Sequence, residues 1–515
     1  MTSSVSGNAV HAYHFIGDHT EIFSIISPAG FEHMFRGLGE PYTGPMWPDV
    51  DLERATEKLN SGVANVMTQF DVIPVPDHSL VEPQSWGGSE CQLPGSQKPY
   101  FLRHCTGASA FSTEQSPKQH HNLSTLDITM SSSSGPGTRG NLTLEQKKSL
   151  QEAWVHILRL CGNENIAHDA PDNTDEYLQH LKNKDSDHFS RNLWESIMAD
   201  HPDTTLLRFL RARDWDVNKA VDMFVSALNW RDERQIQKTI VGGGEAVGLK
   251  KTLTTDEESF MAQYRSGKSY VRGTDKDNYP IYVIRVRLHD PHKQSAESME
   301  EYVLHNIETL RVMAREPQDK VCLIFDLTGF GLRNMDFHVV KFLVDILEKR
   351  YPETLSVVLV HNAPFVFWGV WTVIKHWLDP VVASKVHFTS GTKGLLKFIA
   401  KENLQKSYGG EDPWEYKYVE PVPSENERMQ SEEKKIKIQI ERQELIDSFN
   451  RSTVEWIGTN PDTDAGKEAH ERRDELIQLL QMNYWKLDPY VRSGTYYHRA
   501  GVVNRVGGVD FKAAR

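Results

Sequence analysis

Cysteine is scarce: the 515 residues carry four, Cys91, Cys105, Cys161 and Cys322, with no CxxC spacing among them. That excludes a disulfide scaffold and a zinc ribbon, which need closely spaced thiols. Long hydrophobic runs are missing, since no stretch of about 18 apolar residues occurs, so no helix is expected to cross a bilayer. Cationic excess is missing as well. The formal net charge is −13, whereas general nucleic-acid binding rests on Lys and Arg neutralising phosphates. Nucleic acid is therefore not an expected partner, although the charge leaves room for a local basic patch against an acidic membrane. The N-terminus has no basic stretch followed by an apolar core of the kind that directs secretion. The expectation is a cytoplasmic protein with transient, peripheral contact to membranes.

Catalytic signatures are also absent. The glycine run Gly242-Gly-Gly-Glu-Ala-Val-Gly-Leu-Lys-Lys-Thr252 invites a phosphate-loop reading. That loop needs Gly, four residues, then Gly-Lys-Ser/Thr, and Leu249 stands where the lysine belongs. The run reads instead as a flexible connection between helices. There is no Gly-x-Ser-x-Gly elbow, no HExxH and no EF-hand loop. No catalytic residue, metal ligand set or cofactor is expected, and the protein is not expected to be an enzyme.

Composition divides the chain. Within residues 1–80, the run FSIISPAGFEHMFRGLGEPYTGPMWPD (Phe23 to Asp49) resembles the C-terminal part of a cupin. The similarity covers a fraction of a jelly roll, which needs about eight strands. The paired histidines of a cupin metal site are missing, and His11, His14 and His19 do not replace them. A non-catalytic fragment is expected, with a cupin metal oxygenase as the enzymatic alternative. Residues 81–140, rich in Ser, Gly, Pro, Gln and Thr, bury too little apolar surface to offset chain entropy and read as a disordered linker.

Order resumes at Thr143, where Thr143 and Gln146 form a capping-box pattern ahead of Leu150, Trp154, Ile157 and Leu158 at helical spacing. Further helices are expected over 187–199, over Leu206 to Leu210 with Asp203 or Thr204 as cap, and after Asp216. From about 268 the period changes. Tyr282, Ile284, Val286 and Leu288 alternate, and VCLIFDL (Val321 to Leu327), LSVVLV (Leu355 to Val360) and SKVHFT (Ser384 to Thr389) read as further strands. Helical stretches separate them, at Met299 to Met313, Phe337 to Arg350 and Phe365 to Leu378. Continuous apolar strands alternating with helices point to an α/β fold with a mostly parallel, helix-covered sheet. Beyond 416 the chain is charged and mostly helical. KKIKIQI (Lys434 to Ile440) alternates like a strand, but its flanks space like a helix, and helix is the reading adopted.

One segment stands out, NAPFVFWGVWTVIKHWLDP (Asn362 to Pro380). Asn362 can cap it, Pro364 suits a first turn, and Asp379-Pro380 ends it. Phe367, Trp368, Trp371, Ile374, Trp377 and Leu378 make it apolar around much of its circumference, so two sides must be buried. A helix buried in a core is the ordinary explanation. The other is a helix with one side on the sheet and one on acyl chains or a membrane.

The blocks LLRFLRARDWDVNKAVDMF, IFDLTGF, YPETLSVVLVHNAPFVFWGVW, WLDPVVASKVHF and YGGED occur in this order. Together they resemble the CRAL-TRIO phosphatidylinositol transfer proteins, roughly over residues 200 to 415. The resemblance implies a CRAL-TRIO fold, with an N-terminal helical lobe over 141–254, a lipid-binding domain over 255–415 and a helical C-terminal extension over 416–515. It implies that one phospholipid, phosphatidylinositol or a related lipid, occupies an enclosed apolar pocket in a monomer. It places Arg213, Glu353 and Lys385 at the headgroup. It places Phe365, Phe367, Trp368, Trp371, Ile374 and Trp377 on a mobile gate and acyl-chain pocket. Departures are Asp214, where relatives often carry lysine, and Val382, where they can carry threonine. Val321 and Leu323 replace hydroxyl residues that contact phosphatidylcholine, so exchange of that lipid is expected to be weak. The implied role is exchange of the lipid between membranes or its presentation to a lipid-modifying enzyme. A membrane-associated scaffold without lipid transfer is the alternative from another class.

Overall fold

Apolar periodicity accounts for most of the elements. The computed structural model describes residues 135–163 and 186–513, together with the backbone of two N-terminal strands. Those strands, β1 (Val10–His14) and β2 (Ile22–Ile26), pair antiparallel. The rest of the cupin-like run and most of the expected linker lie outside the described residues. The chain forms two compact units, Met1–Ile128 and Thr129–Arg515.

In the second unit, structure is already described at Gly135, within the stretch read as linker. Arg139 donates there to Glu316 at 2.8 Å and to Asp474 at 3.0 Å. Helix α1 (Leu144–Leu160) starts with the capping box of Thr143 and Gln146. It packs with α2 (Ser186–Ile197), α3 (Pro202–Ala212) and α4 (Val217–Glu233), the last capped by Asp216. The α3 cap departs from expectation. His201 accepts from the Asp203 N–H, with Pro202 pre-set for the first turn. The Asp203 carboxylate is thereby free to turn inward, where it meets Arg473.

After α5 (Thr255–Ser266) come β3 (Ser269–Thr274), β4 (Pro280–Arg285), α6 (Ala296–Met313), β5 (Val321–Asp326), α7 (Phe337–Lys349) and β6 (Leu355–His361). Helices α8 (Phe367–Ile374) and α9 (Pro380–Ser384), strand β7 (Val386–Thr389) and helix α10 (Gly391–Leu395) follow. The sheet order is β3-β4-β5-β6-β7. Only β3 is antiparallel to its neighbour; β4 through β7 run parallel. This is the expected α/β fold, and both faces of β5 and β6 are covered, as their unbroken apolar runs require. Ile281, Val283, Cys322, Ile324 and Leu359 pack on one side against Leu395, Ile399 and Leu404.

Residues beyond 416 join both halves of this unit. Helices α11 (Glu432–Ile457) and α12 (Asp464–Val491) place Phe449, Trp456, Ile477 and Leu480 in one core with Trp154 and Leu207. Helix α13 (Tyr496–Arg499) adds Tyr496 and Tyr497 to the packing around Val271 and Val321. The glycine run is a correction. It is not a flexible connection but a closely packed one, wound as helical turns over Ile236–Val241 and Gly244–Leu249. Gly244 has φ +42°, and a Cβ there would lie 2.5 Å from the His305 ring. The fully buried Glu245 accepts from Tyr418 at 2.6 Å and from the Tyr496 N–H at 2.7 Å, and pairs with Arg499. Buried polar groups so held fix the backbone that carries them.

Candidate functional site

The second face of the sheet is not packed solid. Strand periodicity puts Tyr282 and Ile284, Leu323 and Phe325, and Val358 and Val360 on that face. These residues look across a cavity at Met299, Val303 and Ile307 of α6, Leu343 and Leu347 of α7, and Phe367, Trp371 and Ile374 of α8. The cavity encloses about 1480 Å³ of atom-free space, its open mouth included. A smaller space of about 660 Å³ shares Tyr282, Ile284, Leu323 and Leu343 and reaches Asp200, Arg208, Arg311 and Asp319 between the helical lobe and the sheet.

Helix α8 is shorter than the sequence pattern suggests. It begins at Phe367, after the turn in which the Phe367 N–H bonds to the Pro364 carbonyl. Asn362 does not cap it. Its backbone is left-handed, φ 53°, and its side chain joins two neighbouring loops. The amide donates to Thr328 Oγ1, and its oxygen accepts from the Gly391 N–H, both at 2.9 Å. Phe367, Val370 and Ile374 are buried, and Phe367, Trp371 and Ile374 line the cavity. Trp368 and Phe365 do not; they remain 46 % and 73 % exposed. Trp368 lies against Phe388 with ring centres 4.6 Å apart, and Trp377 meets the edge of Phe337 rather than the cavity. The apolar circumference therefore divides into an inward stripe and an outward one.

Glu353 and Lys385 come together. Each precedes a parallel strand, β6 or β7, so adjacent strands bring them side by side, Nζ to Oε2 at 3.4 Å. Arg213 sits at the C-terminal cap of α3, and its guanidinium donates to the Ala212 carbonyl at 2.8 Å. The pair has two other cationic neighbours, Arg211 and Lys320. Burial lowers the pKa of both, and Arg211 feels the charge of Glu353, while Lys320 feels Arg211, Glu353 and Lys385. Arg211 belongs to the same Arg-Ala-Arg run as Arg213, so its type was visible in sequence and its orientation was not. Lys320 carried no signal; it reaches the site because β5 begins at Val321. Among the described residues no cluster of His, Cys, Asp and Glu suits a metal ion, and no helix is long and apolar enough to cross a membrane.

Similarity to known proteins covers these elements. The model of the CRAL/TRIO domain matches residues 264–410, and that of the CRAL/TRIO N-terminal domain matches 173–226. A protein of Eremothecium gossypii called phosphatidylinositol transfer protein CSR1 is 38% identical over 330 residues, which is 64% of this chain and 74% of that one. A CRAL-TRIO domain-containing protein of Schizosaccharomyces pombe is 37% identical over 310 residues, 60% of this chain and 68% of its own. The SEC14 cytosolic factor of Yarrowia lipolytica is 31% identical over 226 residues, 41% of this chain and 43% of its own.

Proposed function

The chain belongs to the CRAL/TRIO family, and from that premise we propose that it binds one phospholipid, phosphatidylinositol, and exchanges it between membranes or presents it to lipid-modifying enzymes. The carrying observation is the apolar cavity between the sheet and α6, α7 and α8. Each acyl methylene moved from water into such a space contributes about 0.8 kcal/mol. A lipid in transit needs that surface covered, and α8 is the cover: its inward stripe faces the cavity and its outward stripe faces solvent. In this reading Phe365 and Trp368 meet the bilayer first. Helix α8 moves aside, the tails enter, and Phe367, Trp371 and Ile374 close over them, with Trp377 anchoring the following turn on Phe337.

The headgroup is assigned to Lys385 and Glu353, with Arg213 and its neighbour Arg211. An ammonium and a guanidinium neutralise a phosphodiester, and a carboxylate accepts from inositol hydroxyls while holding the lysine. Leu323 offers the cavity no hydroxyl, and phosphatidylcholine exchange is expected to be weak. The test is transfer of labelled phosphatidylinositol between vesicles, with native mass spectrometry of the purified protein to read its bound lipid. Lys385→Ala is expected to lower the transfer rate by at least tenfold. Unchanged rates in both Lys385→Ala and Glu353→Ala would remove the headgroup assignment, and no transfer by the wild type would remove the carrier role.

A further inference from the structure

The cavity has a polar end remote from the headgroup residues proposed above, which are not among the residues that line it. Glu353 and Lys385 stand at the amino ends of β6 and β7. At the carboxyl ends of β4 and β5, a strand length of about 20 Å away at ~3.3 Å per residue, polar side chains line the cavity, among them Lys268, His289 and Asp336. Lys268 precedes β3, and its carbonyl accepts from the Arg285 N–H where β4 ends. Lys268 Nζ lies 3.0 Å from His289 Nδ1, and His289 Nε2 lies 3.0 Å from Asp336 Oδ2. An ammonium can only donate and a carboxylate only accept, so His289 carries its proton on Nε2. Lys268 is only 4 % exposed, and this bond uses one of its three N–H groups. The other two have no partner among the described residues. The Arg285 side chain, by the alternation of β4, lies on the opposite face with Val283, 5.1 Å above the Tyr270 ring. One cation thus faces one carboxylate, Asp336, through His289, beside apolar walls.

Unpaired donors of a buried cation are costly, and an anionic acceptor relieves them. The tails of a diacyl lipid held by its headgroup at the other end finish in methyl groups and supply no acceptor. We propose that this end of the cavity binds the carboxylate of a long-chain fatty acid, with Lys268 donating to it and the chain lying along β4, β5 and β6 toward Glu353. His289 and Asp336 act as positioning residues that hold the ammonium toward the cavity. The inference rests on the cavity being a lipid site, as proposed above, but on different residues.

The test is calorimetric titration of the full chain, stripped of co-purified lipid, with oleate and with oleyl alcohol, which share a chain and differ in charge. Wild type is expected to bind oleate at least tenfold more tightly than the alcohol. Lys268→Met is expected to bring the two within twofold, with circular dichroism confirming its fold. Equal wild-type affinities, absence of binding by either probe, or an undiminished preference in folded Lys268→Met overturns the proposal. The wild-type ratio decides alone where the variant does not fold. Phosphatidylinositol transfer with equal probe affinities removes this inference only, and an acid preference without transfer removes the carrier role only.

Discussion

A lysine that opens onto an apolar cavity keeps its charge at a cost, and that cost has a measurable pH signature. Burial lowers the Lys268 ammonium to about 8 from an ordinary 10.5, against the opposing pull of Asp336 and Asp290. The folded value lies below the unfolded one, so between these values the folded state binds fewer protons. Stability therefore rises as pH climbs from about 8 toward 10.5. Between pH 7 and pH 10, wild type is expected to gain roughly 2–3 kcal/mol on Lys268→Met, because lowering a pKa by one corresponds to ~1.4 kcal/mol. Urea denaturation of both proteins at the two pH values measures the gain, and parallel pH profiles would contradict it. At Asp336 burial is outweighed instead. Burial alone would raise its carboxyl, but the His289 and Val339 hydrogen bonds hold it below the usual carboxylate range.

At the scale of the element, α8 is unusual because both of its sides are apolar and only one is covered. Gly369 has no atom within 4 Å of a would-be Cβ, so this turn is open to solvent beside Trp368. Large exposed apolar side chains close together mark a contact surface. Trp368→Glu combined with Phe365→Glu is expected to lower sedimentation with phosphatidylinositol-containing vesicles several-fold. The melting temperature should barely move, because surface substitutions of this kind usually lie within about 0.5 kcal/mol. A large fall in melting temperature would mean that the outward stripe is structural, and unchanged sedimentation would mean that the bilayer meets another surface.

At the scale of the molecule, the helical lobe is closed by residues from the far end of the chain. Arg473 of α12 and Asp203 of α3 are both fully buried. The guanidinium donates to both carboxylate oxygens, at 3.0 and 2.8 Å, and Trp154 donates to one of them at 2.6 Å. The guanidinium also lies 4.2 Å from the Trp456 ring centre. Burial would raise the Asp203 carboxyl, yet Arg473 holds it far below the usual range. Removing one partner leaves the other charge buried and unpaired. Asp203→Ala is therefore expected to cost about 3–5 kcal/mol, and Asp203→Leu with Arg473→Met appreciably less. Chemical denaturation of wild type and both variants compares them, and a loss in the double variant as large as that in Asp203→Ala would show that the unpaired buried charge is not what costs stability.

Local pattern alone determined a good deal of this protein. The capping box at Thr143, the Asp216 cap, the apolar strands β5 and β6 and the helix through Lys434–Ile440 follow from nearest neighbours and from periods of two and 3.6. So does the composition of α8, although not its start, because Pro364 turns the chain before the helix begins. What local pattern does not contain is which distant groups face one another. The tertiary structure alone decided that Asp203 turns inward to Arg473, that Arg211 and Lys320 flank Glu353 and Lys385, and that the glycine run is tightly packed. It also decided that Lys268, His289 and Asp336, from three separate loops, line one end of a single cavity. The reason is physical. A charged side chain in sequence reads as solvated, and only burial against partners brought in by the fold turns it into a site.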